Sequence, residues 1–221
     1  SFYQKAQRQT SASDQYIRHN MLQDLGIGAM LHDLGKKNVP EQILTKPDTL
    51  NDDEYEVIQD HPEDGHELLK SFETELNAPS RIISLEHHEK WNGEGYPKGA
   101  SKNNIHLFGR ISAIADVYSA LTSNRPYREP NSPANAIKIM EAMQQRGPHF
   151  DPDIFNKFKG IVFPYPVGTE VTLNNGDRGV VSNVDIKNPH QPTVRILFKD
   201  EQRVDTPEEI QVNQGDTPSI I

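Results

Sequence analysis

The 221-residue chain contains no cysteine. Disulfides and thiolate metal sites are therefore excluded, and any metal is left to histidine and carboxylate ligands. It also lacks any apolar run long enough for a transmembrane helix, which needs about 18 residues. Its start, Ser1-Phe2-Tyr3-Gln4-Lys5, has neither the charged-then-apolar pattern of a signal peptide nor an initiator methionine. A cytoplasmic location and a segment of a longer protein are the corresponding expectations. Basic excess is missing too. Lys and Arg number 23 against 32 Asp and Glu, for a net charge of −9 and a pI near 5.4. That excludes a general nucleic-acid surface, which needs a basic field. It leaves room for a small phosphate substrate, because bound cations would dominate the local charge.

What is present reads mainly as helix. Leu22, Leu25 and Ala29 recur at helical spacing with Ile17 one turn earlier, and Asp14 is placed to cap the start. Asn51 precedes an acidic first turn with Glu54 three places on, the pattern of a capping box. Pro62 and Pro79 suit first-turn positions, and Leu107–Leu121 reads as a further helix. Ser132-Pro133 and Asp151-Pro152 each read as a cap followed by a first-turn proline. After Pro164 the period changes to alternation. Val171 and Leu173, the Asn175-Gly176 turn, Gly179-Val180-Val181, Thr193–Phe198 and Ile210–Val212 read as strands. The expected architecture is a helical part over residues 1–163 and a small β-rich, barrel-like or sheet subdomain over 164–221.

The helical part carries His32-Asp33, His61, His87-His88 and Asp116, each in or beside an apolar helical segment. Any one of these histidines alone reads as an ordinary hydrogen-bonded or surface residue. His87 and His88 are adjacent, so they serve one cluster only if they flank it or sit at a helix end. Jointly, four segments supply imidazole and carboxylate, a donor set that suits iron, manganese, zinc or nickel, and a carboxylate such as Asp33 can bridge two cations. Just beyond His88 comes Trp91-Asn92-Gly93-Glu94-Gly95-Tyr96-Pro97, whose glycines and proline allow backbone shapes closed to other residues.

These residues resemble a known family. His32-Asp33-Leu34-Gly35-Lys36 resembles the HD-x-G-K motif of HD-domain phosphohydrolases, and His61-Pro62-Glu63-Asp64-Gly65 their HP-x-x-G element. The run from His87 to Pro97 is similar to the segment that names the HD-GYP subfamily of cyclic di-GMP phosphodiesterases. Ala115–Ser123, Arg125-Pro126-Tyr127-Arg128 and Phe150-Asp151-Pro152 match the stretches that follow it. The resemblance implies an HD-domain helical bundle with two or three divalent ions, iron or manganese foremost, with nickel, zinc or magnesium as alternatives. It implies His32, Asp33, His61, His87, His88 and Asp116 as ligands, with Asp33 bridging. Asp33 and Lys36 would be catalytic; Lys36, Gly95, Tyr96, Pro97 and Arg125 would bind substrate. The implied reaction is hydrolysis of cyclic di-GMP to pGpG or GMP in bacterial signalling. A homodimer and an N-terminal regulatory domain or GGDEF-type partner accompany that expectation. The alternatives are a weakly catalytic sensor of metal or nucleotide, and a phosphohydrolase acting on another cyclic dinucleotide. The family pattern has one further ligand histidine a helix upstream of its HD. Counting back from His32 passes Ser1, and His19 lies too near to replace it.

Overall fold

The computed structural model describes residues 12–72, 74–124, 129–212 and 219–220, with side chains from residue 19 onward. Two compact units emerge. The first holds the chain up to Val117 together with Arg146–Asp151, and the second holds Tyr118–Gln145 and Pro152–Ile221.

In the first unit, α1 (Ala12–Leu31) leads into a 3-10 turn (Leu34–Asn38) and the short α2 (Glu41–Leu44). Asp14 lies within α1 and is not its cap. The helical spacing of Leu22 and Ala29 does mark a helix, but not its buried face: both are exposed, Leu22 at 69%. The packed face mixes small and polar residues: Gly28 is buried against Ser80 and Ile83, and Leu25 is half-buried. Asn77 Nδ2 and Ser80 Oγ donate to Asp24 Oδ1 at 2.8 and 3.3 Å, tying α1 to α5 (Ala78–Glu86).

Helix α3 (Asp52–Gln59) opens with the expected capping box. Glu54 N donates to Asn51 Oδ1 at 2.8 Å, and Asn51 N donates to Glu54 Oε2 at 2.9 Å. Two of the amides left without a partner at a helix start are thereby satisfied. Asn51→Ala is expected to lower stability by about 1 kcal/mol. The denaturant midpoint reads this directly, and an unchanged midpoint would contradict it.

Asp60 then joins α3 to α4 (His61–Lys70). Pro62 and Pro79 occupy the first turns of α4 and α5, where a missing N–H is harmless. Residues 87–106 form a long connection with one 3-10 turn (Lys102–Asn104), and α6 follows (Leu107–Thr122). Leu69, Ile83, Leu85, Ile105, Phe108 and Ile114 are buried across these elements.

The second unit contains α7 (Pro133–Arg146) up to Gln145, α8 (Pro152–Ile161) and strands β1 (Glu170–Thr172), β2 (Arg178–Asn183), β3 (Thr193–Lys199), β4 (Gln202–Arg203) and β5 (Glu209–Gln211). Ser132 Oγ accepts from Asn135 N at 3.2 Å, the cap expected before Pro133. The alternating residues Val171, Leu173, Val181, Val194 and Ile196, with Val212, form one buried cluster under the sheet. The strands are antiparallel.

The barrel-like expectation is corrected here, because the sheet is open. β1 pairs β2 and β2 pairs β3, while β4 and β5 share the remaining edge of β3. β4 and β5 each cover only part of that edge, at Phe198–Lys199 and Thr193–Arg195 respectively. Closure requires strands long enough to reach the far edge with consistent tilt and shear. Strands of two and three residues cannot supply that.

Candidate metal centre

Four segments of the first unit deliver six side chains to one place. His32 follows the last residue of α1, and Asp33 precedes the 3-10 turn. His61 is the first residue of α4. His87 caps the C-terminus of α5 and His88 follows it, so the adjacent pair sits at a helix end, where both rings can turn toward one cluster. Asp116 comes from α6. Ligand atoms of Asp33, His61, His87 and His88 all lie within 4.8 Å of one another. His32 Nε2 stands 3.4 Å from Asp33 Oδ2 and 3.7 Å from Asp116 Oδ1, and His88 Nδ1 lies 3.9 Å from Asp116 Oδ2. His61 and His87 form the buried floor, while His32, Asp33, His88 and Asp116 are partly open to solvent.

Hydrogen bonding fixes which atoms the floor presents. His61 Nδ1 donates to the Ile58 carbonyl at 2.6 Å, and His87 Nδ1 to the Ser84 carbonyl at 2.9 Å. His32 Nδ1 donates to the Ala29 carbonyl at 2.7 Å. A carbonyl only accepts, so in each neutral ring the proton is on Nδ1 and the Nε2 lone pair faces inward. His61 Nε2 and His87 Nε2 are 3.2 Å apart. Asp33 Oδ1 lies 3.3 and 3.7 Å from them, is buried, and has no hydrogen-bond partner.

Three acceptors aimed at one another in a buried site are mutually repulsive. A cation among them reverses the sign of every pair. Backbone carbonyls holding the outer ring nitrogens are also the outer-shell arrangement that orients metal-ligating histidines. The residues therefore fit a divalent ion.

In the metal-free cluster a ring can favour the ionised Asp33 only by carrying a second proton on Nε2, the position a cation would take. Burial pushes the Asp33 carboxyl up, but His61, His87 and Lys36 together hold it well below the usual carboxylate range. Burial likewise raises Asp116, and His32, His88 and His87 together outweigh it and lower the group. His32 is raised, chiefly by Asp116 and against its own burial. His88 is pushed down to about 3 by burial, with His87 and His61 adding to the effect. Protonating the cluster is the alternative to a metal, and at His88 that route is closed near neutral pH. Its lone pair stays available.

The glycine-containing loop rises directly beside His88. A Cβ at Gly95 would lie 2.4 Å from Lys90 N and 2.6 Å from the His88 oxygen, so only glycine allows the backbone to fold this tightly. Tyr96 N donates to the His88 carbonyl at 3.3 Å, and the Tyr96 ring sits 4.7 Å from the His88 ring. Pro97 follows Tyr96 at this wall of the site. Lys36 Nζ donates to Asp33 Oδ2 at 2.6 Å from the 3-10 turn. His19 is exposed on α1. Arg125 lies outside the described residues, as do its neighbours Pro126, Tyr127 and Arg128.

Three further residues organise this loop, and the sequence reading assigned them no role. Glu89 is buried and its Oε1 accepts from Lys98 N at 2.8 Å, drawing the loop back on itself. Arg110 donates to Asp151 Oδ2 at 2.7 Å while its guanidinium lies 5.8 Å from the Trp91 ring centroid. Tyr55 stands edge-on to Tyr96. Glu89 and Asp151 lie within the motifs that carry the family resemblance, whereas nothing in the local pattern of α3 or α6 distinguishes Tyr55 or Arg110.

The HD domain family matches residues 3–154, well over half the chain. The chain belongs to the HD domain family. Among curated proteins it is 36% identical to a cyclic di-GMP phosphodiesterase of Pseudomonas aeruginosa, over 86% of this chain and 45% of that one. It is 42% identical to the cyclic di-GMP phosphodiesterase response regulator RpfG of Xanthomonas campestris, over 57% of this chain and 33% of that one. It is 40% identical to a 3'3'-cGAMP-specific phosphodiesterase of Vibrio cholerae, over 56% of this chain and 23% of that one. The chain thus spans less than half the length of each. Among the described residues, no helix is long and apolar enough to cross a membrane.

Proposed function

We propose that this chain is the catalytic part of a metal-dependent phosphodiesterase that hydrolyses cyclic di-GMP to pGpG or GMP. The observation that carries the reading is the set of inward-facing acceptors of His61, His87 and Asp33, with Tyr96 beside them. His32, Asp33, His61, His87, His88 and Asp116 would hold two or three divalent ions, iron or manganese foremost, with Asp33 as the bridge. Such ions, when bound, activate water near neutral pH and neutralise charge on a phosphoryl group.

The protein's own groups do the rest. Lys36 holds its amine against Asp33 Oδ2, on the open side of the cluster, where it can exchange that contact for a phosphate oxygen. The Gly95-Tyr96-Pro97 wall limits how a substrate can lie over His88. Arg125, by its planar fork, would grip a phosphate or guanine edge. Residues 1–163 would carry this chemistry and 164–221 would be an appended module.

Similarity to both cyclic di-GMP and 3'3'-cGAMP phosphodiesterases favours one competing reading, turnover of a mixed cyclic dinucleotide. Metal analysis of anaerobically purified protein, paired with product analysis on the two substrates, tests the proposal. Stoichiometric iron or manganese with faster cleavage of cyclic di-GMP is expected. Faster cleavage of the mixed dinucleotide would move the assignment to it. Tight nucleotide binding without product would make the chain a sensor.

A further inference from the structure

One aromatic at the mouth of the cluster plays no part in the ligand set. Tyr55 is 49% exposed, and its ring stands 6.4 Å from that of Tyr96 at an interplanar angle of 76°. Tyr96 in turn lies 4.7 Å from the His88 ring. A row of rings therefore leads outward from the buried histidines to solvent.

Tyr55 is also held firmly in place. Its helix, α3, is closed at the start by the Asn51–Glu54 capping box, and Lys46 Nζ reaches Glu54 Oε2 at 2.5 Å. The same chain runs through Asp60 directly into His61, so α3 and the floor of the cluster are positioned together. A half-exposed tyrosine stands edge-on to a second tyrosine, so the two ring planes are nearly perpendicular. A flat ring laid on one face presents its edge to the other, the arrangement that aromatic pairs favour. A nucleobase gains stacking, which is sequence-tolerant because every base has a π-face.

We propose that Tyr55 and Tyr96 together form the seat for one purine base of the substrate, with Tyr55 supplying the outer stacking face. The inference rests on the reading of the cluster as a cyclic dinucleotide phosphodiesterase site. Tyr55 touches the base and not the reacting phosphate, so its loss acts on binding more than on turnover.

The test uses the full, metal-loaded chain with Tyr55→Ala, Tyr55→Phe and Tyr55→Trp. The probes are cyclic di-GMP and an analogue carrying 2-aminopurine in place of one guanine, whose fluorescence falls on stacking. Tyr55→Ala is expected to raise KM on the order of ten-fold, more than it alters kcat, and to abolish part of the quench, with metal content unchanged. Phe and Trp are expected to restore both readouts. Wild-type turnover and quenching that Tyr55→Ala leaves intact would overturn the stacking seat alone. A wild-type chain that neither turns over nor quenches the probe would overturn the substrate assignment and the seat with it.

Discussion

Asp33→Ala is expected to leave the chain folded, empty of divalent metal and inactive on phosphodiesters. Asp33 is the shared member of the cluster. Its Oδ1 faces His61 and His87, and its Oδ2 faces His32 and Lys36. Losing an outer-shell partner of a metal ligand commonly costs about 10–100-fold in affinity, and losing a ligand shared between positions costs more. The four imidazoles and Asp116 left behind also lack the second negative charge that offsets two cations.

Folding does not depend on this residue in the same way. The Asp33 side chain is 38% exposed, and its ion pair with Lys36 is screened by solvent. Thermal unfolding separates the two effects. In the wild type, manganese or ferrous iron at 100 times its Kd should stabilise the fold by about 2.7 kcal/mol, because metal binds only the folded state. In Asp33→Ala the same addition should do nothing, while the metal-free transition stays cooperative. A variant that keeps its metal response, or that turns over substrate at the wild-type rate, would refute the bridging role.

Much of this centre was legible in the sequence because its parts are local. His32-Asp33, His61 and His87-His88 stand in short motifs, and helix starts at Asn51, Pro62 and Pro79 follow from rules acting within one turn. The convergence of four segments was inferable only as a pattern. Which atoms meet was not, since the Nε2 to Nε2 approach of His61 and His87 depends on backbone carbonyls of α5 and of the end of α3. The face of α1 was also hidden. Apolar spacing marks a helix, but Gly28 and Asp24 are the residues that meet α5, and Leu22 is left in solvent. For the tail, alternation located β1, β2, β3 and β5, while the two-residue β4 is too short to show a period. Whether they close is a matter of strand length and of which edge each one finds, and β4 and β5 both found β3. Tyr55 and Arg110 are the plainest case. Tyr55 acts through Tyr96, and Arg110 through Asp151 and Trp91, and a single residue carries no period.

Gly35→Ala is the second large expected effect, and it explains why two of the motifs contain glycine at all. The 3-10 turn after Asp33 and the first turns of α4 approach at main-chain distance. A Cβ on Gly35 would lie 2.0 Å from the His61 carbonyl oxygen and 2.5 Å from Gly65 N. Both obstacles are backbone, so no rotamer change relieves them. One of them belongs to the residue whose imidazole forms the floor of the cluster. Overpacking with movable neighbours costs about 1–3 kcal/mol, and a rigid backbone clash belongs at or above the top of that range.

Gly35→Ala should therefore lose about 3 kcal/mol in stability and, by displacing His61, also lose metal affinity. Gly65 provides the contrast. Its Cβ would meet the Ser84 side-chain oxygen at 2.4 Å, with Gly35 N at 3.0 Å. Ser84→Ala removes that oxygen, at the loss of its hydrogen bond to the His32 carbonyl, about 1 kcal/mol. The double variant Gly65→Ala with Ser84→Ala should recover part of what Gly65→Ala alone loses, whereas Ser84→Ala should do nothing for Gly35→Ala. Denaturant midpoints and metal titrations on the four variants read this difference. If Gly35→Ala unfolds at the wild-type midpoint with full metal content, the two motifs are not held together by this contact.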